Sequence, residues 1–221
     1  MIKLNKASVL GSIAVAGVAA WLAVGLWRPV STDLRKFDPE EVARLDTEMW
    51  RSYYGKQELK LFNQLAVLLR RQYAMPIARS YVVAFHAARA AFVFKNGKSR
   101  DDYERALPHL VAYYQAIRNI SRTPFHAQRA AALELEWWIV HRQRSRYAAG
   151  DLDRALADLA AEVYQMPAAK FAAHARYRAE AMIIRDDLAE KGPLSEADWN
   201  RINDLLRRSW FSLCHAVNGT E

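Results

Sequence analysis

Cysteine, glycine and proline are all scarce in this chain of 221 residues, which has 1 Cys, 8 Gly and 7 Pro. A single cysteine cannot form a disulfide within the chain, which excludes a disulfide-stapled domain. So little glycine and proline also excludes a collagen-like or low-complexity protein. Because 52% of the residues are apolar, the chain has enough apolar side chain to bury a core, and wholesale disorder is excluded as well.

Strand-like segments and familiar catalytic motifs are absent too. No segment alternates β-branched and polar residues with the period of two that marks a strand, so we expect an all-α protein. No glycine-rich phosphate loop, nucleophile elbow, CxxC or HExxH motif occurs. The sequence therefore contains no recognisable catalytic signature, and we expect no cofactor.

The charge balance is basic, with 32 Lys and Arg against 24 Asp and Glu and a net charge of +8. No nucleic-acid-binding motif accompanies this excess, so we expect no nucleic-acid partner. An anionic lipid surface is a more natural partner for scattered arginines that follow an apolar N-terminus.

The N-terminus contains the longest uncharged stretch of the chain. Residues 7–27 read ASVLGSIAVAGVAAWLAVGLW. As a helix, with about 1.5 Å of rise per residue, this stretch is about 30 Å long, which matches the hydrocarbon core of a bilayer. The sequence therefore predicts a single membrane-spanning helix that stays in the mature protein as a signal-anchor.

Two other interpretations of this stretch remain open. A cleaved signal peptide is one, since Val18, Ala19 and Ala20 offer a small-residue cleavage site, although the apolar run continues well past it. A buried helix of a soluble protein is the other. For the anchored form we expect an anchor over residues 1–27, a tether over 28–38 and a helical domain over 39–221. We also expect that domain on the non-cytoplasmic side, because a very short N-terminal flank commonly stays inside.

Helix signals follow one another along the rest of the chain. Asp38 and Pro39 open the first domain helix, Ser99 and Ser195 have the spacing of N-caps, and Pro108 should kink or restart the helix that contains it. The fold predicted from these signals is a multi-helix bundle or a short antiparallel helix-hairpin array. Its helices are expected over 39–55, 57–74 and 77–95, then in a helix that begins after Ser99 and contains Pro108, and over 124–149, 151–165, 167–190 and 195–217.

Three of these helices carry acidic or histidine side chains within aromatic, core-like sequence. Such residues suit either a carboxylate-bridged metal site for Fe, Mn or Zn or a buried network with arginines. The spacings around Glu134 and His141 do not reproduce the Glu-x-x-His pattern of carboxylate-bridged bundles, which favours the network. The candidate metal ligands are Glu48, Glu134, Glu136, His141, His174 and Glu180.

The sequence therefore leads to two hypotheses about function. The first is a non-enzymatic accessory or scaffold subunit, anchored in the membrane by residues 7–27, that offers a groove between helix hairpins to a partner protein. The alternative is a metal-dependent enzyme of the helical-bundle kind that uses the six candidate ligands.

Overall fold

A computed structural model describes residues 25–26 and 29–219, and within residues 29–219 the fold is all-α. This confirms the predicted fold class. The predicted anchor lies outside the described residues except for Gly25 and Leu26. Nine α-helices lie within 29–219, and a lone parallel β-bridge joins Thr32 to Ser121. The helices are α1 Pro39–Tyr54, α2 Glu58–Tyr73, α3 Ile77–Asn96, α4 Arg100–Glu104, α5 Leu107–Ile120, α6 Ala127–Arg142, α7 Asp151–Tyr164, α8 Ala172–Ala189 and α9 Glu196–Asn218.

The predicted N-caps are confirmed. Asp38 accepts hydrogen bonds from the backbone N–H groups of Glu40 and Glu41, while Ser99 and Ser195 each form a capping box with an aspartate three residues later. Pro108 stands in the first turn of α5, where a missing N–H costs nothing, so α5 starts as a new helix after α4.

Two predicted helices have the wrong bounds. The helix expected over 124–149 runs only from Ala127 to Arg142, because the backbone leaves the helical conformation at Gln143. The guanidinium of Arg142 donates to the carbonyls of Phe94 and Lys95 at the end of α3. The chain then makes a short 3₁₀ turn before α7 begins at Asp151. Likewise, a 3₁₀ turn ending at the fully buried Phe171 separates Pro167 from α8.

The main helix contacts follow a cyclic order. Going along the chain, α1, α2, α3, α5, α6, α7, α8 and α9 each pack against the next, and α9 returns to pack against α1. The buried side chains at the centre include Leu69, Ile117, Ile139 and Phe171. The predicted bundle of helices is therefore present, and it is closed by the contact between its first and last members.

The segment predicted as a tether packs on the domain. Leu34 is fully buried, and the Phe37 ring lies edge-on to Trp210 with centroids 5.9 Å apart. The backbone N–H of Thr32 donates to the carbonyl of Ile120 at 2.6 Å. The bundle therefore begins at about residue 30, ahead of its first helix.

Candidate functional site

The six candidate metal ligands point to different partners. Glu48 pairs with Arg44 at 2.5 Å on the surface, and Glu136 pairs with Arg100 at 2.8 Å. Glu180 is exposed. Among the residues that the structure describes, no group of three or more His, Cys, Asp and Glu side chains could hold a metal ion. The residues predicted for an Fe, Mn or Zn site are therefore not brought together.

Glu134 is held by hydrogen bonds to two aromatic side chains. The Tyr114 hydroxyl donates to one carboxylate oxygen at 2.7 Å, and the indole N–H of Trp138 donates to the other at 2.9 Å. His141, one helical turn beyond Trp138, lies 3.2 Å from a carboxylate oxygen of Asp186. These contacts join α6 to α5 and α8, so Glu134 and His141 connect helices.

The ion pair at the centre of the bundle involves residues that the sequence analysis did not select. Arg178 on α8 donates to Asp46 on α1 at 2.6 Å, and the indole N–H of Trp210 on α9 donates to the same oxygen at 2.8 Å. The guanidinium also lies 5.8 Å from the ring centroids of Trp50 and Trp210. Burial alone would lower the pKa of Arg178, but the Asp46 carboxylate more than offsets it and raises that pKa above its ordinary value.

A sequence signal for Asp46 does exist. The apolar stripe of α1 is formed by residues such as Val42, Leu45 and Met49, and Asp46 is four residues after the first of them and three before the last. An acid on an apolar helix face needs a buried partner. Nothing in the sequence identifies Arg178 as that partner, since the chain contains 23 arginines.

A buried serine–histidine contact joins α8 to α9. The Nδ1 atom of His174 lies 2.8 Å from the Ser209 hydroxyl oxygen, and that hydroxyl is also 2.9 Å from the His174 carbonyl. Burial, helped by the nearby charge of Arg178, lowers the pKa of His174 to about 4, so the ring is neutral at physiological pH. Both side chains are buried, which suits a link between helices and leaves no room for a substrate at the hydroxyl.

Half of the exposed large apolar side chains among the described residues lie on α3. We define the outer face of α3 as Ile77, Tyr81, Phe85, Ala88 and Phe92, which recur every three or four residues and are all exposed. Phe85 is 52% exposed and Phe92 is 61% exposed. Over this length the face extends about 22 Å along the helix axis. α3 is also long and apolar enough to cross a membrane, and only 22% of its most apolar 18-residue window is buried.

The C-terminal end of the predicted anchor contacts the first turn of α3. Arg79 donates from Nε to the carbonyl of Leu26 at 2.7 Å. A Cβ added at Gly25 would lie 3.3 Å from the Cβ of Ala78. The chain that leads from the apolar N-terminus therefore meets the domain at one end of the outer face of α3.

The positive charge of the protein is concentrated around the same helix. Between residues 59 and 98 there is no Asp or Glu, whereas outside this segment the chain carries 25 basic and 24 acidic residues. Almost the whole net charge of +8 therefore belongs to α2, α3 and their flanks. The basic residues of the segment are Lys60, Arg70, Arg71, Arg79, Arg89, Lys95 and Lys98.

A shallow groove between α6 and α7 is the second surface feature. It encloses about 540 Å³, with Leu133, Ala161 and Met166 on its apolar part. Arg129 and Glu162, which pair at 3.2 Å, are among its charged residues. Most of its exposed lining is polar, so the groove is suited to a partner segment that pairs a few apolar side chains with several charged ones.

No family model, no curated protein and no solved structure matches this chain.

Proposed function

We propose that this protein is a single-pass membrane protein whose helical domain acts as a non-enzymatic accessory or scaffold subunit and binds a partner protein. Residues 7–27 span the bilayer, and the domain lies on the non-cytoplasmic side. In this proposal Asp46, Arg178, Glu134 and His174 serve the fold, because each is hydrogen-bonded to a side chain from another helix.

The observation that carries the proposal is the contact between Leu26 and Arg79. A domain on a free tether would sample many orientations, whereas here the chain on both sides of residue 28 is held. Gly25 and Leu26 lie on α3, and residues 30–37 pack against the core through Val30, Leu34 and Phe37. A domain attached in this way presents its surface to a partner at a fixed angle to the membrane, which suits a scaffold.

The partner site in this proposal is the groove between α6 and α7. Neither helix belongs to the α2–α3 hairpin that meets the anchor, so the groove stays open when the anchor is in the bilayer. An amphipathic helix of the partner would place apolar side chains against Leu133 and Met166 and charged ones beside Arg129.

Photo-crosslinking in native membranes tests this function. A photoreactive amino acid at Leu133 or Met166 should give one discrete adduct with another protein, and the same amino acid at Phe211, exposed on α9, should not. Equal adducts from all three positions, or none, would contradict a specific partner. Stoichiometric Fe, Mn or Zn in the purified full-length protein would instead support the metal-dependent enzyme.

A further inference from the structure

We propose that the outer face of α3 and the basic residues around it form a second membrane contact, which lies on the surface of a bilayer that contains anionic lipids. This inference rests on the proposed function in one respect: it takes residues 7–27 to span the same bilayer.

The first argument is the apolar character of the face. Large apolar side chains such as Phe85 and Phe92 are unfavourable in water, and soluble domains rarely align several of them along one helix. A helix that lies in the membrane interface buries such a face among the headgroups and the upper acyl chains. The opposite side of α3 is buried in the bundle through Val83, Ala84 and Ala90, so α3 is held along the surface of the domain and does not cross the bilayer itself.

The second argument is the position of the anchor. Leu26 is the penultimate residue of the apolar run, which places it near the boundary between hydrocarbon and headgroups. Because its carbonyl accepts a hydrogen bond from Arg79, the first turn of α3 lies at that same depth. The outer face of α3 therefore begins where the bilayer surface must be.

The third argument is charge. Lys60, Arg89, Lys95 and Lys98 are exposed, and no acidic residue lies between residues 59 and 98. Each basic side chain near an anionic lipid surface strengthens binding by about fivefold. A second copy of this chain would be a poor occupant of the face, because an isologous contact would bring the exposed basic residues of two copies of α3 close together.

Site-specific fluorescence in lipid nanodiscs tests the inference on the full chain. In a Cys214→Ser background, single cysteines at Phe85 and Phe92 carry an environment-sensitive dye, and matched cysteines at Ile183 and Phe211 serve as controls, since these are also exposed large apolar residues. Nanodiscs that contain 30% phosphatidylserine also contain a lipid with a quencher in its headgroup region. We expect at least fivefold stronger quenching at the two α3 positions than at the two controls.

A dye at Ala14 distinguishes failure of this inference from failure of the proposed function. Quenching by a deep acyl-chain quencher at Ala14, together with labels at Phe85 and Phe92 that are no better quenched than the controls, would overturn the α3 contact alone. The absence of deep quenching at Ala14 would overturn the anchor, and with it the proposed function. If the dye at position 85 is shielded from a water-soluble quencher but is not quenched by the headgroup-quencher lipid, the lipid contact is overturned and a protein covers this face instead.

Charge is tested in two independent ways. Arg89→Glu with Lys95→Glu should lower the ratio of docked to undocked domain by at least 25-fold, whereas Arg146→Glu, also at an exposed arginine, should leave it unchanged. The same labelled full-length protein with its basic residues intact should show a similar loss in nanodiscs of pure phosphatidylcholine, and this second measurement needs no charge substitution. Equal quenching in neutral and anionic nanodiscs would overturn the role of the basic residues.

Discussion

Arg178 and Asp46 lie 2.6 Å apart at the centre of the bundle, although 132 positions separate them in the chain. The Asp46 side chain is 4% exposed and that of Arg178 is 18% exposed, so neither charge is well hydrated. The pair joins α1 to α8, and Trp210 adds α9 by donating to the same carboxylate oxygen. One buried ion pair therefore connects two helices and, through Trp210, contacts a third.

Removing one member of this pair should destabilise the fold strongly. Asp46→Asn leaves the Arg178 guanidinium buried without its counter-ion, and breaking a buried pair in this way costs about 3–5 kcal/mol. The measurement is urea unfolding of the full-length protein in detergent, followed by tryptophan fluorescence. Arg207→Ala is the matched control, because Arg207 pairs with Glu40 at the surface, where a pair contributes at most about 1 kcal/mol.

A double substitution separates the pair from its surroundings. Asp46→Leu with Arg178→Met removes both charges and keeps most of the volume, so it should recover a large part of the stability lost in either single variant. If the double variant is as unstable as the sum of the two single variants, Asp46 and Arg178 act independently and the pair is not the stabilising unit.

Local signals predicted most of the helices. N-caps such as Ser99 and Ser195 depend only on residues within one turn, and the structure has helices starting after both. The last residue of α6, Arg142, instead contacts carbonyls of α3 that lie 47 or 48 positions earlier in the chain, and no local pattern predicts that contact. The helix starts after Ser99 and Ser195 were therefore easier to predict than this helix end.

The candidate site shows the same division. The sequence shows that Glu134 and His174 lie in core-like segments. It does not identify their partners, because Tyr114 and Ser209 come from other helices. The outer face of α3 was missed for a different reason. A stripe of apolar residues has the same pattern whether it faces the core or the outside, and only the packing of α3 against α2 and α5 distinguishes the two.

Stability should fall in mild acid because His174 is buried in its neutral form. Its pKa is about 4 in the folded protein and about 6.5 when the chain is unfolded, so the unfolded state takes up a proton first as the pH falls. This contribution to the free energy of unfolding is fully present above pH 6.5. As the pH falls to 4 it is lost progressively, and the total loss is about 3 kcal/mol.

Urea unfolding at several pH values between 4.5 and 7 tests this expectation. His174→Asn should flatten the dependence of the unfolding free energy on pH, because the titrating group is gone. His215→Asn, at an exposed position on α9, should keep the slope of the unmodified protein. The same slope in all three proteins would show that His174 does not contribute.

The hydrogen bond from Tyr114 to Glu134 should contribute measurably to stability. Tyr114→Phe removes the hydroxyl donor and leaves one oxygen of the half-buried Glu134 carboxylate without that hydrogen bond. Because the bond is made to a charged group, the free energy of unfolding should fall by about 1.5–3 kcal/mol. Thermal unfolding by circular dichroism gives the difference. Tyr53→Phe is the control, since Tyr53 is 49% exposed, and a comparable loss there would mean that the assay does not resolve this bond.

Leu34 should control how firmly the domain is attached to its N-terminal segment. Its side chain is fully buried, so Leu34→Ala leaves a cavity that costs about 2–5 kcal/mol if the segment stays in place, or releases the segment if it does not.

Limited trypsin digestion of the Leu34→Ala variant in detergent should then cleave after Arg35 or Lys36 much faster than in the unmodified protein. Leu34→Met keeps most of the volume and should keep the protection. The hydrogen bond from Arg79 to the carbonyl of Leu26 does not involve Leu34, so faster cleavage would report the packing of residues 30–37. Cleavage at the same rate in all three proteins would mean that the segment is open even with Leu34 present, and the fixed orientation in the proposed function would be lost with it.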